Sequence, residues 1–179
     1  MLAYVFWHWP NSGVSGAGYE EGLRRFQAAL AAARPPGWRQ SQVFRLRGAP
    51  WTAQGTSYEE WYWLENSAAL DALNSAAVSG GCRDPHDAVA RQVAGGAAGL
   101  YRPINAVQGD FSRHIWFSKP EGWSYARLND AMAQSRPESR LWQRQLVLGP
   151  TPELCLWSSR EAATLPFPVL EIAVEPVWP

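Results

Sequence analysis

Hydrophobic and polar positions change period repeatedly along this 179-residue chain, and each change marks an element. Leu2 to Trp9 is a run rich in aromatic and β-branched residues that Pro10 stops, which predicts a strand followed by the Gly/Ser-rich loop Asn11 to Gly18. From Tyr19 to Ala33 the apolar residues Leu23, Phe26, Ala29, Leu30 and Ala33 recur at helical spacing. Glu20 and Glu21 suit the positive end of that helix, and Pro35, Pro36 and Gly37 close it after about four turns. Gln42 to Arg47 then alternates Phe44 and Leu46 against Arg45 and Arg47, and Tyr58 to Glu65 is a second aromatic run, so the two predict an antiparallel hairpin.

Ser67 stands where an N-cap belongs ahead of the helical stretch Ala68 to Ala77, and Pro85 occupies a favoured first-turn position of another helix. Gly95, Gly96 and Gly99 read as the close of that helix, with Leu100 to Ala106 as a short edge strand carrying Pro103. The remainder predicts a strand at Arg113 to Lys119, a helix at Tyr125 to Gln134, and strands at Leu141 to Leu148, Glu153 to Ser158 and Val169 to Glu175.

Strand, helix, strand, strand, helix, strand thus occurs once and begins again. Pro120 ends the fifth strand as Pro10 ends the first, and residues 63–69 lie parallel to residues 157–163. Such a unit makes a four-stranded antiparallel sheet with helices on one face and a bare apolar face on the other. On these residues the chain resembles the dimeric α/β barrel superfamily, as a fused pair in one polypeptide. The resemblance implies an α+β fold of two tandem ferredoxin-like halves, approximately 1–108 and 109–179, packed face to face as an α/β barrel within a single unit, 1–179. It also implies a central cavity and a choice of chemistries: cofactor-free monooxygenase, muconolactone-type isomerase, or haem-dependent chlorite dismutase and peroxidase.

Composition narrows the partners. Sixteen basic residues balance sixteen acidic ones, without a basic cluster of the kind that draws nucleic acid or anionic lipid. Nothing approaches the roughly 20 apolar residues of a membrane span, and the opening residues lack a basic leader. Cys82 and Cys155 are isolated from each other in sequence, so the expectation is a reducing cytoplasm; the chain is separately expected to be a monomer or homodimer. Eleven Trp, six Tyr and six Phe are an excess of aromatic surface that either fills a core or lines a pocket for an apolar or aromatic ligand.

The candidate chemistry follows from strand alternation. His8 shares a strand face with Tyr4 and Phe6, where it is either a base facing the cavity or a hydrogen-bonded residue at a strand end. Arg45, Arg47, Glu60 and Tyr62 alternate with Phe44, Leu46, Trp61 and Trp63. If the apolar set packs under the helices, the polar set faces the cavity: Arg45 clamps an anion, Tyr62 orients it, and Arg47 and Glu60 complete the ligand-binding set. The competing reading is a cross-strand ion pair between the arginines and Glu60. Cys82, Asp84 and His86 fall short of a closed zinc site, and His86 reads as a solvent-facing first-turn residue rather than a haem ligand. No metal or cofactor is expected. The functional expectation is a small-molecule-binding protein or cofactor-independent enzyme; the alternatives are a solid interaction module and a haem-dependent peroxidase-like protein.

Overall fold

In a computed structural model that describes residues 1–159 and 165–179, the expected alternation of strands and helices is present. The strands are β1 (Leu2–Pro10), β2 (Trp38–Arg47), β3 (Thr56–Leu64), β4 (Val93–Pro103), β5 (Arg113–Phe117), β6 (Arg140–Arg144), β7 (Leu154–Ser158) and β8 (Leu170–Trp178). The helices are α1 (Gly16–Ala33), α2 (Ala69–Ala77), α3 (Arg83–Ala90) and α4 (Tyr125–Ser135). The strands close on one another in the order β1-β3-β2-β8-β5-β7-β6-β4, and every neighbouring pair is antiparallel. Within the circle, β4-β1-β3-β2 and β8-β5-β7-β6 are two runs of four, joined through β2–β8 and β6–β4. Closure leaves no sheet edge, which removes the hazard of unpaired backbone groups. Residues 160–163, four of the seven residues in the second copy of the internal match expected from the sequence, lie outside the described residues.

The interior is solid. Ala3, Val5 and Trp7 of β1, Trp61 and Trp63 of β3, Tyr101 of β4, Trp116 of β5, Trp142 of β6 and Trp157 of β7 form one buried cluster. Trp61 is its centre, with ring centroids 4.7 Å from Trp157, 5.0 Å from Trp142 and 5.6 Å from Tyr101. Most of these contacts are edge-to-face or tilted, the arrangements that ring quadrupoles favour by about 0.5–1.5 kcal/mol per pair beyond area burial. Among the rings lies Glu59, fully buried, accepting from Trp7 Nε1 and Trp61 Nε1 at 2.5 Å each and facing His114 Nδ1 at 2.6 Å. The expected central cavity is therefore filled, and the facing of β2 and β3 is opposite to the expectation. Phe44, Leu46, Trp61 and Trp63 point into the barrel, whereas Glu60 and Tyr62 lie under the helices.

Three local expectations also change. Gly95, Gly96 and Gly99 do not end a helix; they sit inside β4, an eleven-residue strand paired with β1 and β6 rather than a short edge strand. A Cβ at Gly95 would stand 2.7 Å from the Trp9 ring, and one at Gly96 would stand 2.7 Å from Phe6 and 2.9 Å from the Trp7 carbonyl. The glycines leave room for the rings of β1. Gly96→Ala is expected to cost about 1–3 kcal/mol in chemical denaturation, because the Trp7 backbone blocks simple relief; a change below ~0.5 kcal/mol would contradict this packing.

The α2 cap is also different: Asn66 Oδ1, not Ser67, accepts from the Ala69 amide at 3.3 Å. The strand expected at Leu141 to Leu148 ends at Arg144, whose guanidinium donates to the carbonyls of Gly149 and Thr151 and so closes a turn. Leu146 is left-handed in that turn and 84 % exposed.

Candidate functional site

The outward faces of β1 and β3 carry Tyr4, Phe6, His8, Tyr58, Glu60 and Tyr62, because alternate strand residues point to opposite faces and Trp7, Glu59, Trp61 and Trp63 have gone inward. Helices α1, α2 and α3 cover this face incompletely. A cavity of about 580 Å³ remains, lined by Tyr4, Phe6, His8, Glu60 and Tyr62 below and by Phe26, Leu73, His86 and Val89 above. This volume lies within the ~300–1,000 Å³ of ordinary small-molecule sites. The equivalent space beneath α4 is occupied by Ile115, Phe117, Leu128, Met132, Leu141, Leu154 and Leu156, an apolar cluster without titratable groups.

The cavity floor is a hydrogen-bonded array. His8 Nδ1 is 2.6 Å from the Tyr19 hydroxyl, and Nε2 is 2.8 Å from Glu60 Oε1, close but poorly aligned for N–H donation. The imidazole is held between the rings of Phe6, 5.1 Å away, and Tyr58, 5.7 Å away. Gln27 Nε2 donates to Glu60 Oε2 at 2.5 Å, the Tyr62 hydroxyl donates to the same oxygen, and Ser41 Oγ donates to Gln27 Oε1 at 2.6 Å. The Glu60 carboxylate is thus surrounded by donors, the condition under which a buried charge is tolerated. Burial, reinforced by the Glu60 charge, pushes the Tyr62 phenol well above its ordinary pKa, and the same causes raise Tyr19 and Tyr4. These hydroxyls keep their protons at neutral pH and remain donors. Burial and Glu20 push Tyr58 up to about 12.

Of the residues singled out in the sequence, His8, Glu60 and Tyr62 meet in this array. Arg45 and Arg47 do not. Arg45 pairs with Glu20 of α1 at 2.9 Å and with Glu175, its cross-strand partner on β8, while Arg47 is exposed. The arginines therefore do not pair with Glu60, whose partner is His8. His86 is half-buried rather than solvent-facing: it packs on Phe26 at 5.6 Å, meets Asp87 at 3.0 Å and lines the cavity. Sequence reasoning missed Gln27 and Tyr19. A glutamine inside the apolar stripe Leu23, Phe26, Leu30 was the available signal, since a polar side chain on a buried face needs a buried partner.

No sequence-family profile and no curated protein matches the chain. Its fold matches solved structures. A protein from Fusobacterium nucleatum subsp. nucleatum described as a candidate monooxygenase superposes with a TM-score of 0.62 at 8 % identity, over 99 % of this chain and 92 % of that one. A second candidate monooxygenase, from Lactobacillus acidophilus, gives 0.52 at 10 % identity, over 97 % of this chain and 76 % of that one. At such identities the likeness is one of fold: a ferredoxin-like α/β barrel. Among the described residues no helix is long and apolar enough to cross a membrane.

Proposed function

We propose that this protein is a cofactor-independent, monooxygenase-like enzyme that acts on an apolar or aromatic small molecule bound between the sheet and α1–α3. The observation that carries this reading is a cavity walled by Phe26, Leu73 and Val89 with a buried imidazole–carboxylate pair, His8–Glu60, at its floor. An apolar cavity takes the ligand's rings, and the few polar groups fix its orientation. Tyr4 offers its hydroxyl to a ligand oxygen, Tyr62 commits its own to Glu60 and fixes the carboxylate, and the His8–Glu60 pair takes a proton from an acidic hydroxyl or activated C–H. The proton is then held as an imidazolium beside the carboxylate, so the pair passes from one net negative charge to none.

Proton removal is the step that oxygenase and isomerase chemistry share. In the oxygenase version the ligand anion gives electrons to dioxygen; an activated methylene becomes a carbonyl, and the other oxygen atom leaves as water. In the isomerase version the proton returns at another carbon. The repeated strand order β4-β1-β3-β2 and β8-β5-β7-β6 supports a duplicated chain with halves near 1–108 and 109–179, in which the first half kept the chemistry.

The test is oxygen uptake with a panel of polycyclic phenols, followed by product analysis. Wild-type uptake is expected to match product formed. His8→Asn is expected to lower turnover by about 10²–10⁴-fold, the usual contribution of a positioned general base, while changing ligand affinity much less. Equal turnover in wild type and His8→Asn would remove the pair from the mechanism. The filled barrel interior favours one second reading, a non-enzymatic binding or interaction module. Saturable binding without oxygen uptake or isomerised product would select it.

A further inference from the structure

A second, smaller cavity of about 240 Å³ opens at one mouth of the barrel, away from the site under the helices. It is lined by Gln40 and Gln42 of β2, Trp63 of β3, Arg140 of β6, Trp157 of β7 and the segment 108–111, which brings Asp110 to the rim. Arg140 alternates with Leu141, which packs outward under α4, so the arginine and Trp142 point into the barrel. An arginine facing the inside of an aromatic barrel is an unusual choice. It is 2 % exposed, yet its Nε meets no acceptor, and among the described residues no carboxylate lies within ion-pair distance of it.

Arg140 is held instead by rings. Its guanidinium carbon stands 4.3 Å over Trp63 and 5.6 Å from the Trp142 ring centre. The attraction of a cation to an indole face offsets only part of the cost of burying a guanidinium without a counter-ion. Burial pushes the Arg140 pKa below its ordinary value, and nothing nearby pushes it back; a guanidinium nevertheless remains charged at neutral pH. Trp63 Nε1 and Trp157 Nε1 are further buried donors without acceptors in the same lining. Gln40 and Gln42 add amide N–H groups, and Gln42 Oε1 is a buried acceptor without a donor in the same lining. The cavity thus gathers a buried positive charge, orphaned donors and aromatic faces, and among the described residues its only carboxylate, Asp110, is an exposed one at the rim.

We propose that this barrel mouth is an anion-binding site for a small planar carboxylate, which Arg140 holds and the indoles of Trp63 and Trp157 enclose. The planar fork of arginine matches a carboxylate edge-on, and the rings that fix it also offer surface to an aromatic or short-chain acid. The volume, below that of ordinary ligand cavities, restricts the occupant to small acids. Asp110 opposes the incoming charge and weakens binding. The site is separate from the His8–Glu60 cavity and does not depend on the oxygenase reading.

Titration of the ¹⁵N-labelled protein with benzoate, read at the tryptophan indole N–H resonances, tests the proposal; no tryptophan lines the cavity under α1–α3, so these signals report the barrel mouth alone. Benzoate is expected to shift the Trp63 and Trp157 resonances saturably, and neutral benzamide to bind at least about tenfold more weakly. Arg140→Met is expected to lower benzoate affinity by about tenfold or more and to raise the unliganded thermal midpoint, because it removes an uncompensated buried charge. Arg140→Lys, which keeps the charge and loses the fork, is expected to bind several-fold more weakly with its fold retained. Asp110→Asn is expected to bind several-fold more tightly. Equal affinity for benzamide, unchanged affinity in Arg140→Met, or no saturable shift up to about 10 mM benzoate would each overturn the site. A lower midpoint in Arg140→Met, with no benzoate binding by the wild type, would make Arg140 a structural ring-stacking residue instead.

Discussion

Trp61→Ala is expected to lower the thermal midpoint by roughly 10–15 °C, the largest effect of any single truncation in this chain. Removing a fully packed tryptophan costs about 3–5 kcal/mol, and a protein of this size loses about 2–4 °C per kcal/mol. Trp61 belongs at the upper end because its ring contacts Tyr101, His114, Trp116, Trp142 and Trp157, which come from β4, β5, β6 and β7. Those neighbours are large, rigid and already in contact with one another, so they cannot collapse into the space. Its Nε1–H is also one of the two indole donors on Glu59. Trp61→Phe retains most of the ring contact and is expected to recover more than half of the loss. Calorimetry checks both; a Trp61→Ala midpoint within about 3 °C of wild type would mean that the barrel interior is loosely packed.

The second large effect is expected at Glu59. Glu59→Ala leaves His114 without its 2.6 Å partner and orphans the indole N–H groups of Trp7 and Trp61, all in a region closed to water. Breaking a buried pair by removing one member costs about 3–5 kcal/mol, mostly from the group left behind. The cost to replace the pair as a whole is smaller, since well-packed apolar substitutes remove both buried polar groups at once. The double variant Glu59→Leu/His114→Leu is therefore expected to be more stable than Glu59→Ala, and denaturant titrations of the singles and the double should show coupling above about 1 kcal/mol. Additive losses would mean that Glu59 and His114 act independently and that the contact joining β3 to β5 across the barrel contributes little.

These two residues also show how far a reader of the bare chain can go. The period of α1, the aromatic runs of β1 and β3 and the proline and glycine punctuation are local properties, and they locate most elements because backbone sterics and side-chain periodicity act over a few residues. Gly95, Gly96 and Gly99 were misread because glycine ends helices by its own backbone freedom, whereas here its use is set by Trp9, Phe6 and Tyr101, which lie across the sheet or beside it on the same strand. Gln27, Tyr19 and His86 reach the candidate site only because α1 and α3 pack over β1 and β3.

The order of elements, the aromatic excess, the balance of charge and the pairing of His8 with Tyr4 and Phe6 on one strand face were determined by the sequence alone. Which face of β3 looks inward was not. Tyr58, Glu60 and Tyr62 on one side and Glu59, Trp61 and Trp63 on the other each combine acid with aromatic surface, so a period of two separates the sets without ranking them. Only closure of the barrel decided it. The interior took Trp61 and Trp63 and sealed Glu59 against His114, and the leftover space, with His8 and Glu60 at its floor, opened beneath the helices.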